Sequence, residues 1–542
     1  MDDPIDMGPV ADLLAGSVAR HGKRPAMDFL GRRWTYAELG ALVARATRGL
    51  QDMGVGPGVK VGLCLPNTPY YVIFHYATLK AGGTVVNFNP LYVERELAHQ
   101  VADSGASIMV TLDLEAVYRR VANVAEASGL RRIVVCPMAG ILPPAKALLF
   151  RALKRRDVAA IPHDARHVRF AAVIASAVPP APVAIDPARD VAVLQYTGGT
   201  TGVPKGAMLT HANLTANCCQ VRRHWSAARP GEERMLAVLP FFHVFAMTSV
   251  LNYGISLGAE IVMLPRFELK QALATIAARR ITILQAVPTI YTAIIAAAER
   301  RKLALGSIRF SVSGGAPLPP EVWARFTELT GCKLVEGYGL TEASPVVACN
   351  PPDGVAKRGS VGMALAGTTI EIRHPADPSR RLAQGERGEV CVRGPQVMAG
   401  YLNRPADTKA VFVNGALRTG DIGYLDEDGY LFLVDRIKDV ILCGGYNVYP
   451  RVLEDALYQH PAVLEATVIG VPDAYRGQAP KAFVVLRPGH SATGDELQAF
   501  LGGYVSKIEL PRAVEIRDSQ PKTMIGKLSK KELVAEEAAR AG

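Results

Sequence analysis

The chain has 542 residues, 49% of them hydrophobic and 20% charged, with a formal net charge of +11. That length exceeds one ordinary core, so two or more domains are expected, and the apolar content excludes a disordered chain. The positive balance suits anionic partners such as nucleotides, coenzyme phosphates or an anionic membrane surface; no recognition motif for nucleic acid accompanies it, so nucleic acid is not an expected partner.

The first residues, MDDPIDMG, are acidic and lead into no apolar run, so a secretory signal is not expected. No window holds 18 uninterrupted apolar residues, which argues against a spanning helix. The 8 cysteines form no CxxC pair and no Cys/His cluster of zinc spacing, and read as small buried hydrophobes in a reducing compartment. A cytoplasmic protein is the expectation.

The residues 59–67 (VKVGLCLPN) read as a strand ending in a turn, 70–83 as a helix closed by glycine, and TVVNFNP as the next strand. Residues 106–111 and 131–137 continue the alternation, which predicts parallel sheets with helices on their faces. The stretch 146–156, KALLFRALKRR, sets leucines and Phe150 against Arg151, Lys154, Arg155 and Arg156. As a helix it is amphipathic and basic, suited to an anionic bilayer surface, or it is a solvated helix over the core. After the Pro-rich stretch 178–187 the alternation resumes to about residue 435. Short β segments fill GEVCVRGP, ALRTGDIGYL and GYLFLVDR. A smaller unit follows, with helices at 451–460 and 494–505 and strands in LEATVIGV and KAFVVL. The turn-rich Asp435–Asp439 marks the boundary, giving units 1–435 and 436–542.

Four strings carry chemistry. In YTGGTTGVPKG, residues 196–206, the glycines Gly198, Gly199 and Gly202 let backbone N–H groups approach a polyphosphate. Thr197, Thr200 and Thr201 add hydroxyls, and Lys205 adds charge. It is not a Walker loop, because Pro204 and Gly206 stand where glycine and Ser/Thr are needed. In SVSGGAPLP and VEGYGLTEASP, Gly314 and Gly315 would let a flat base lie on backbone, Tyr338 offers an aromatic face, and Glu342 is a candidate Mg²⁺ ligand. In RTGDIGYLDEDGYLFLVDRIKD, Asp421 can take both hydroxyls of a ribose, and Arg436 can bond ribose or phosphate. In PKTMIGKLSKKEL, Lys527 follows a glycine in a loop before the closing helix, where an ammonium could neutralise charge developing between a carboxylate and a phosphate. Each string alone has a bland reading as a surface loop, a hairpin or a basic tail.

In this order and spacing, and with LPFFHVFAMT, RGPQVMAGYLNRPADT and CGGYNVYPRVLEDALYQHPAV, the strings resemble the adenylate-forming superfamily of acyl-CoA synthetases, luciferases and adenylation domains. The resemblance runs from roughly Leu30 to Leu533 and is nearest to bacterial long-chain-fatty-acid–CoA ligases. It implies an α/β fold: a large N-terminal domain of two α/β subdomains plus a distorted β-barrel, and a small mobile α+β C-terminal domain. It implies that Thr197–Lys205 hold the β- and γ-phosphates and that Gly314, Gly315, Ala316, Glu336, Gly337, Tyr338 and Gly339 surround adenine. It further assigns Thr341 and Glu342 to the α-phosphate and Mg²⁺, and Asp421 and Arg436 to ribose. Lys438 becomes the hinge, Lys527 the adenylation catalyst, and His243 a gate near the acyl carboxylate, while Gly444 and Gly445 stand beside the coenzyme A channel. Two departures stand out: Ile525 removes a hydroxyl commonly found beside the catalytic lysine, and Ser519-Gln520 replaces an acidic–apolar pair.

The resemblance implies ATP, Mg²⁺ and coenzyme A as cofactors and a long-chain fatty acid as substrate. A homodimer and a peripheral membrane contact through Lys146–Arg156 are further candidate associations. Rival readings are a medium-chain or coumarate-type aryl acid:CoA ligase, a fatty acyl-AMP ligase, and a non-catalytic lipid- or nucleotide-binding module on the same fold.

Overall fold

A computed structural model describes residues 5–197, 204–299, 303–352, 354–444, 446–473, 475–523 and 526–541. Among these residues two large, mainly parallel sheets carry the N-terminal part. One has eight strands, in the order Gly400–Tyr401, Lys205–Thr210, Val191–Thr197, Thr84–Phe88, Lys60–Cys64, Ile108–Leu112, Arg132–Cys136 and His167–Arg169. The other has nine and places Ile283–Ala286, Phe310–Gly314 and Lys333–Gly339 side by side. Strand and helix alternate as the sequence predicts. The helix expected at 70–83 forms at Pro69–Lys80, and every residue from Pro69 to Leu79 is buried. A helix apolar on all sides cannot face water, so it lies in the main core. Helix His211–His224 starts on a reciprocal cap: Thr210 Oγ1 accepts the Asn213 N–H at 3.1 Å, and Asn213 Oδ1 accepts the Thr210 N–H at 2.9 Å.

A five-stranded, antiparallel sheet follows, built from Thr369–Arg373, Gly388–Arg393, Phe412–Val413, Ala416–Leu425 and Leu431–Arg436. The last sheet belongs to the C-terminal region: Ile441–Cys443, Tyr446–Val448, Val463–Asp473, Gly477–Leu486 and Ala513–Ile516. It has its own core, with Ile441, Leu453, Leu457, Val468 and Leu497 buried together. The helices there are shorter than the sequence suggests: Pro450–Leu457 and Gly494–Leu501, the second stopping where Gly502 and Gly503 remove the side chains that favour helix. The basic stretch also differs. Its helix is Pro144–Leu153, and Arg155 and Arg156 fall in a separate 3₁₀ turn. All 8 cysteines are free and all but Cys219 are buried.

Candidate active site

The carboxyl ends of parallel strands, where helices begin and backbone N–H groups are exposed, are where α/β folds bind ligands. Here the ends of Phe310–Gly314 and Lys333–Gly339 open into a cavity of about 880 Å³. Gly314 and Gly337 lie opposite each other in register. A Cβ on Gly315, whose φ is +82°, would fall 2.7 Å from Lys527 Cε, and one on Gly339 would fall 2.2 Å from the Pro345 carbonyl oxygen. Glycine is therefore required at Gly339 by close approach to backbone and at Gly315 by its left-handed backbone.

The hairpin Val191–Thr197/Lys205–Thr210 sets Thr197 opposite Lys205 at the mouth of the cavity. Lys205 Nζ pairs with Asp407 Oδ1 at 2.9 Å and lies 5.4 Å from the centre of the Tyr401 ring. The Tyr401 hydroxyl in turn donates to Glu342 Oε1 at 2.7 Å. The hairpin cation and the Glu342 carboxylate are thus coupled through one phenol. Gly198, Gly199, Thr200, Thr201 and Gly202, predicted to hold phosphates, lie outside the described residues, as do Gly445 and Ile525.

On the opposite wall, Asp421 stands behind the lining and holds two groups that form it. Tyr338 donates its hydroxyl to Asp421 Oδ2 at 2.5 Å, and Arg436 Nε lies 3.0 Å from Asp421 Oδ1. Burial, then the Asp421 charge, pushes the Tyr338 phenol well above its usual range, and Asp421 raises Arg436 further. Lys438 follows on the same wall, its ammonium disfavoured by burial.

Lys527 enters this cavity from the C-terminal region. Its loop is tight: the Thr523 N–H donates to the Lys527 carbonyl at 2.6 Å, the Gly526 N–H to the Thr523 carbonyl at 2.8 Å, and the Lys527 N–H to Thr523 Oγ1 at 3.1 Å. The Thr289 hydroxyl, on the N-terminal part, donates to the Gly526 carbonyl at 2.8 Å and seats the loop. Burial, and then Arg436, lowers the Lys527 pKa to about 8, with Asp421 acting in the other direction. His243, pushed down to about 3 by burial and then by Lys527, is a neutral imidazole at physiological pH. Its Nδ1 accepts the Phe245 N–H at 3.3 Å, so the ring is fixed as a helix cap at the edge of the cavity.

The structure brings Thr197, Lys205, His243, Gly314, Gly315, Gly337, Tyr338, Gly339, Thr341, Glu342, Arg436, Lys438 and Lys527 to one cavity. Ala316, Glu336 and Gly444 are not among its lining. Glu336 shares a strand face with Tyr338 but is held off the lining by its own partners: it accepts the Leu318 N–H at 3.1 Å and faces Arg451. Burial pushes its carboxyl up to about 7. Gly444 donates its N–H to the Arg476 carbonyl at 2.8 Å within the C-terminal region. The sequence reading missed Tyr401, Gln195, Arg418 and Trp225, all of which line the cavity. Tyr401 was visible only as part of GYLNRP, where nothing local reveals its hydroxyl partner.

Comparison with known families decides what this cavity belongs to. The AMP-binding enzyme family matches residues 14–402, and the AMP-binding enzyme C-terminal domain matches residues 452–527. The chain belongs to the AMP-binding enzyme family. Among its relatives, a long-chain-fatty-acid–CoA ligase of Bacillus subtilis (strain 168) is 40% identical over 541 residues, 98% of this chain and 95% of that protein. A feruloyl-CoA synthase of Amycolatopsis sp is 36% identical over 518 residues, covering 95% of each chain. The crystal structure of ATP-bound MatB from Rhodopseudomonas palustris superimposes with a TM-score of 0.85 at 29% identity, over 97% of this chain and 98% of that one. The fold is that of the adenylate-forming enzymes.

Proposed function

We propose that this AMP-binding enzyme is an ATP-dependent ligase that joins a long-chain fatty acid to coenzyme A through an acyl-AMP. The observation that carries the reading is the presence of Lys527 within one cavity with Gly315, His243, Thr341 and Glu342. A carboxylate does not react with a thiol, because its oxygen is a poor leaving group. In the first half-reaction the carboxylate oxygen attacks the α-phosphorus of ATP in line, and the bond to pyrophosphate breaks. Lys527, protonated below about pH 8, offsets the negative charge that builds between the two anions. Lys205 and Thr197 take the departing phosphates. Tyr338, Asp421 and Arg436 hold the nucleoside, and neutral His243 borders the carboxylate without competing for its charge. In the second half-reaction the sulfur of coenzyme A attacks the acyl carbon and AMP leaves.

Among the described residues no group of three or more His, Cys, Asp or Glu could cage a metal. Glu342 by itself fits Mg²⁺, which takes one or two carboxylates and completes its shell from phosphate and water. Bound there, Mg²⁺ would neutralise phosphate charge; the Tyr401 hydroxyl orients the carboxylate for it.

Gly444 lies outside the cavity while Lys527 lies inside. A turn of the unit 436–542 about Lys438 would exchange the two, withdrawing the lysine and presenting Gly444 and Gly445 to the thiol. The acyl partner is read from the relatives' names and from the apolar arm beyond His243: Phe242, Val244, Phe245, Val312 and Val346 carry no cation for a second carboxylate. The feruloyl-CoA synthase relative keeps an aryl acid as the second reading.

The same proposal includes a peripheral contact with an anionic membrane. Leu148, Leu149 and Leu153 are 70%, 58% and 72% exposed on one short helix, beside Arg151 and Lys154. Among the described residues no helix is long and apolar enough to cross a membrane. The deciding experiment is ATP–pyrophosphate exchange and coenzyme A-dependent AMP release with hexanoate, laurate, palmitate, oleate and coumarate. Turnover greatest with palmitate or oleate is expected; greatest turnover with coumarate selects the aryl reading, and no exchange with any acid overturns the ligase.

A further inference from the structure

The bare backbones of Gly314 and Gly337 do more than admit a nucleotide. A Cβ on Gly314 would meet the Phe245 ring at 3.1 Å, and one on Gly337 would meet Cys349 Sγ at 3.4 Å. Phe245 and Cys349 thus pack directly on the two glycines, and both line the same cavity, with Val312 and Val346 also on its wall. The same cavity reaches Trp225, the residue that ends helix His211–His224.

Trp225 is built as a stop. It is 2% exposed, its backbone N–H donates to the Val221 carbonyl at 2.9 Å, and its indole leans on the Cys349 thiol. The ring packs edge-on against Tyr253, 5.1 Å between centres at 88°, and against Phe310, 5.4 Å at 61°. Tyr253 is fully buried and Phe310 nearly so, leaving the indole no empty space to retreat into. A chain entering with its carboxylate near His243 and Lys527 would meet the indole with its far end.

We infer that Trp225 is the floor of the acyl arm and sets the length of acid this protein accepts. The inference rests on the fatty-acid reading above and deepens it. It assigns length selection to one side chain on the nine-stranded-sheet side of the site that is not itself among the groups proposed to handle ATP. A methylene that finds no room at such a floor costs about tenfold or more in specificity, and one that gains a new slot recovers a similar factor.

Two measurements test it. The first needs no turnover. The chain has 3 tryptophans, so a Trp34→Phe/Trp323→Phe protein reports on Trp225 alone. Fatty acids brominated at the terminal carbon should quench its fluorescence, and acids brominated beside the carboxylate should not. Quenching that ignores bromine position overturns the inference. The second compares wild type, Trp225→Phe and Trp225→Ala over saturated acids of increasing length. The ratio of kcat/KM for the longest acid to that for the shortest should rise roughly tenfold or more in Trp225→Ala and less in Trp225→Phe, with the KM for ATP unchanged. An unchanged ratio in a variant that melts as a folded protein overturns the floor but leaves the ligase standing. A wild type that ligates no fatty acid at all overturns both. Should Trp225→Ala fail to fold, Trp225→Phe and the quenching series still decide.

Discussion

The two ends of the cavity are made in different ways. The acyl arm is continuous core of the N-terminal part: Trp225, Phe245, Val312 and Cys349 all belong to the main buried cluster or pack against it. The nucleotide end is charged and composite, closed on one side by a hairpin lysine and on the other by a lysine delivered from the C-terminal region. Core packing holds the first rigid at no electrostatic cost. The second must gather cations before its anionic ligands arrive, and Lys527 has its pKa depressed first by the burial this requires and then by the neighbouring Arg436. A site with one fixed end and one assembled end can keep its acyl group in place while the chemistry at the other end changes.

The sharpest way to break this comparison is Lys527→Ala. Loss of one charge aimed at the transition state should lower pyrophosphate exchange by about 100- to 1,000-fold. Thioester formation from supplied acyl-AMP should stay within a few-fold of wild type. Equal loss of both half-reactions would remove the reason for a mobile C-terminal unit.

Next in size is Asp421→Asn. The carboxylate accepts the Tyr338 hydroxyl and pairs with Arg436, so its neutralisation should weaken ATP binding roughly tenfold, equivalent to about 1.4 kcal/mol, read as a rise in the KM for ATP at unchanged KM for the acid. A parallel change in both constants would mean that the nucleotide and acyl ends are not independent.

The pH profile sharpens the same distinction. Lys527 has its pKa lowered to about 8, so its ammonium is present below that value and lost as pH rises through it. Exchange measured as kcat/KM, which reports the free protein, should fall above about pH 8 with a single proton. The same displacement means that the folded chain holds this proton less tightly than an unfolded one. Its contribution therefore opposes folding below about pH 8 and fades as the lysine of the unfolded chain also deprotonates. Lys527→Ala should flatten the alkaline limb; a limb that survives the substitution belongs to another group.

The smallest expected effect lies far from both ends. Leu148→Glu/Leu153→Glu should abolish sedimentation with phosphatidylglycerol vesicles while changing turnover of dissolved, shorter acids less than twofold, because neither side chain lines the cavity. Retained sedimentation would exclude this helix as the lipid contact.

What the sequence alone determined is what local backbone and short strings encode. Alternating apolar runs specified the strands Lys60–Cys64 and Thr84–Phe88 and the helix between them to within a few residues, because period and glycine stops act over one element. Gly315, Tyr338, Glu342 and Lys527 were legible as candidates because the order and spacing of their strings resemble a known superfamily, although each string alone reads as a loop, a hairpin or a basic tail. The tertiary structure decided which of these meet. The Leu318 N–H, brought over from the neighbouring strand's loop, holds Glu336 off the cavity it was expected to line, and the position of the C-terminal region left Gly444 outside. Tyr401 linking Lys205 to Glu342, and Trp225 closing the acyl arm against Tyr253, join residues far apart in the chain. Such pairings depend on sheet order and helix packing, which no local pattern carries, and so they appear only once the chain is folded.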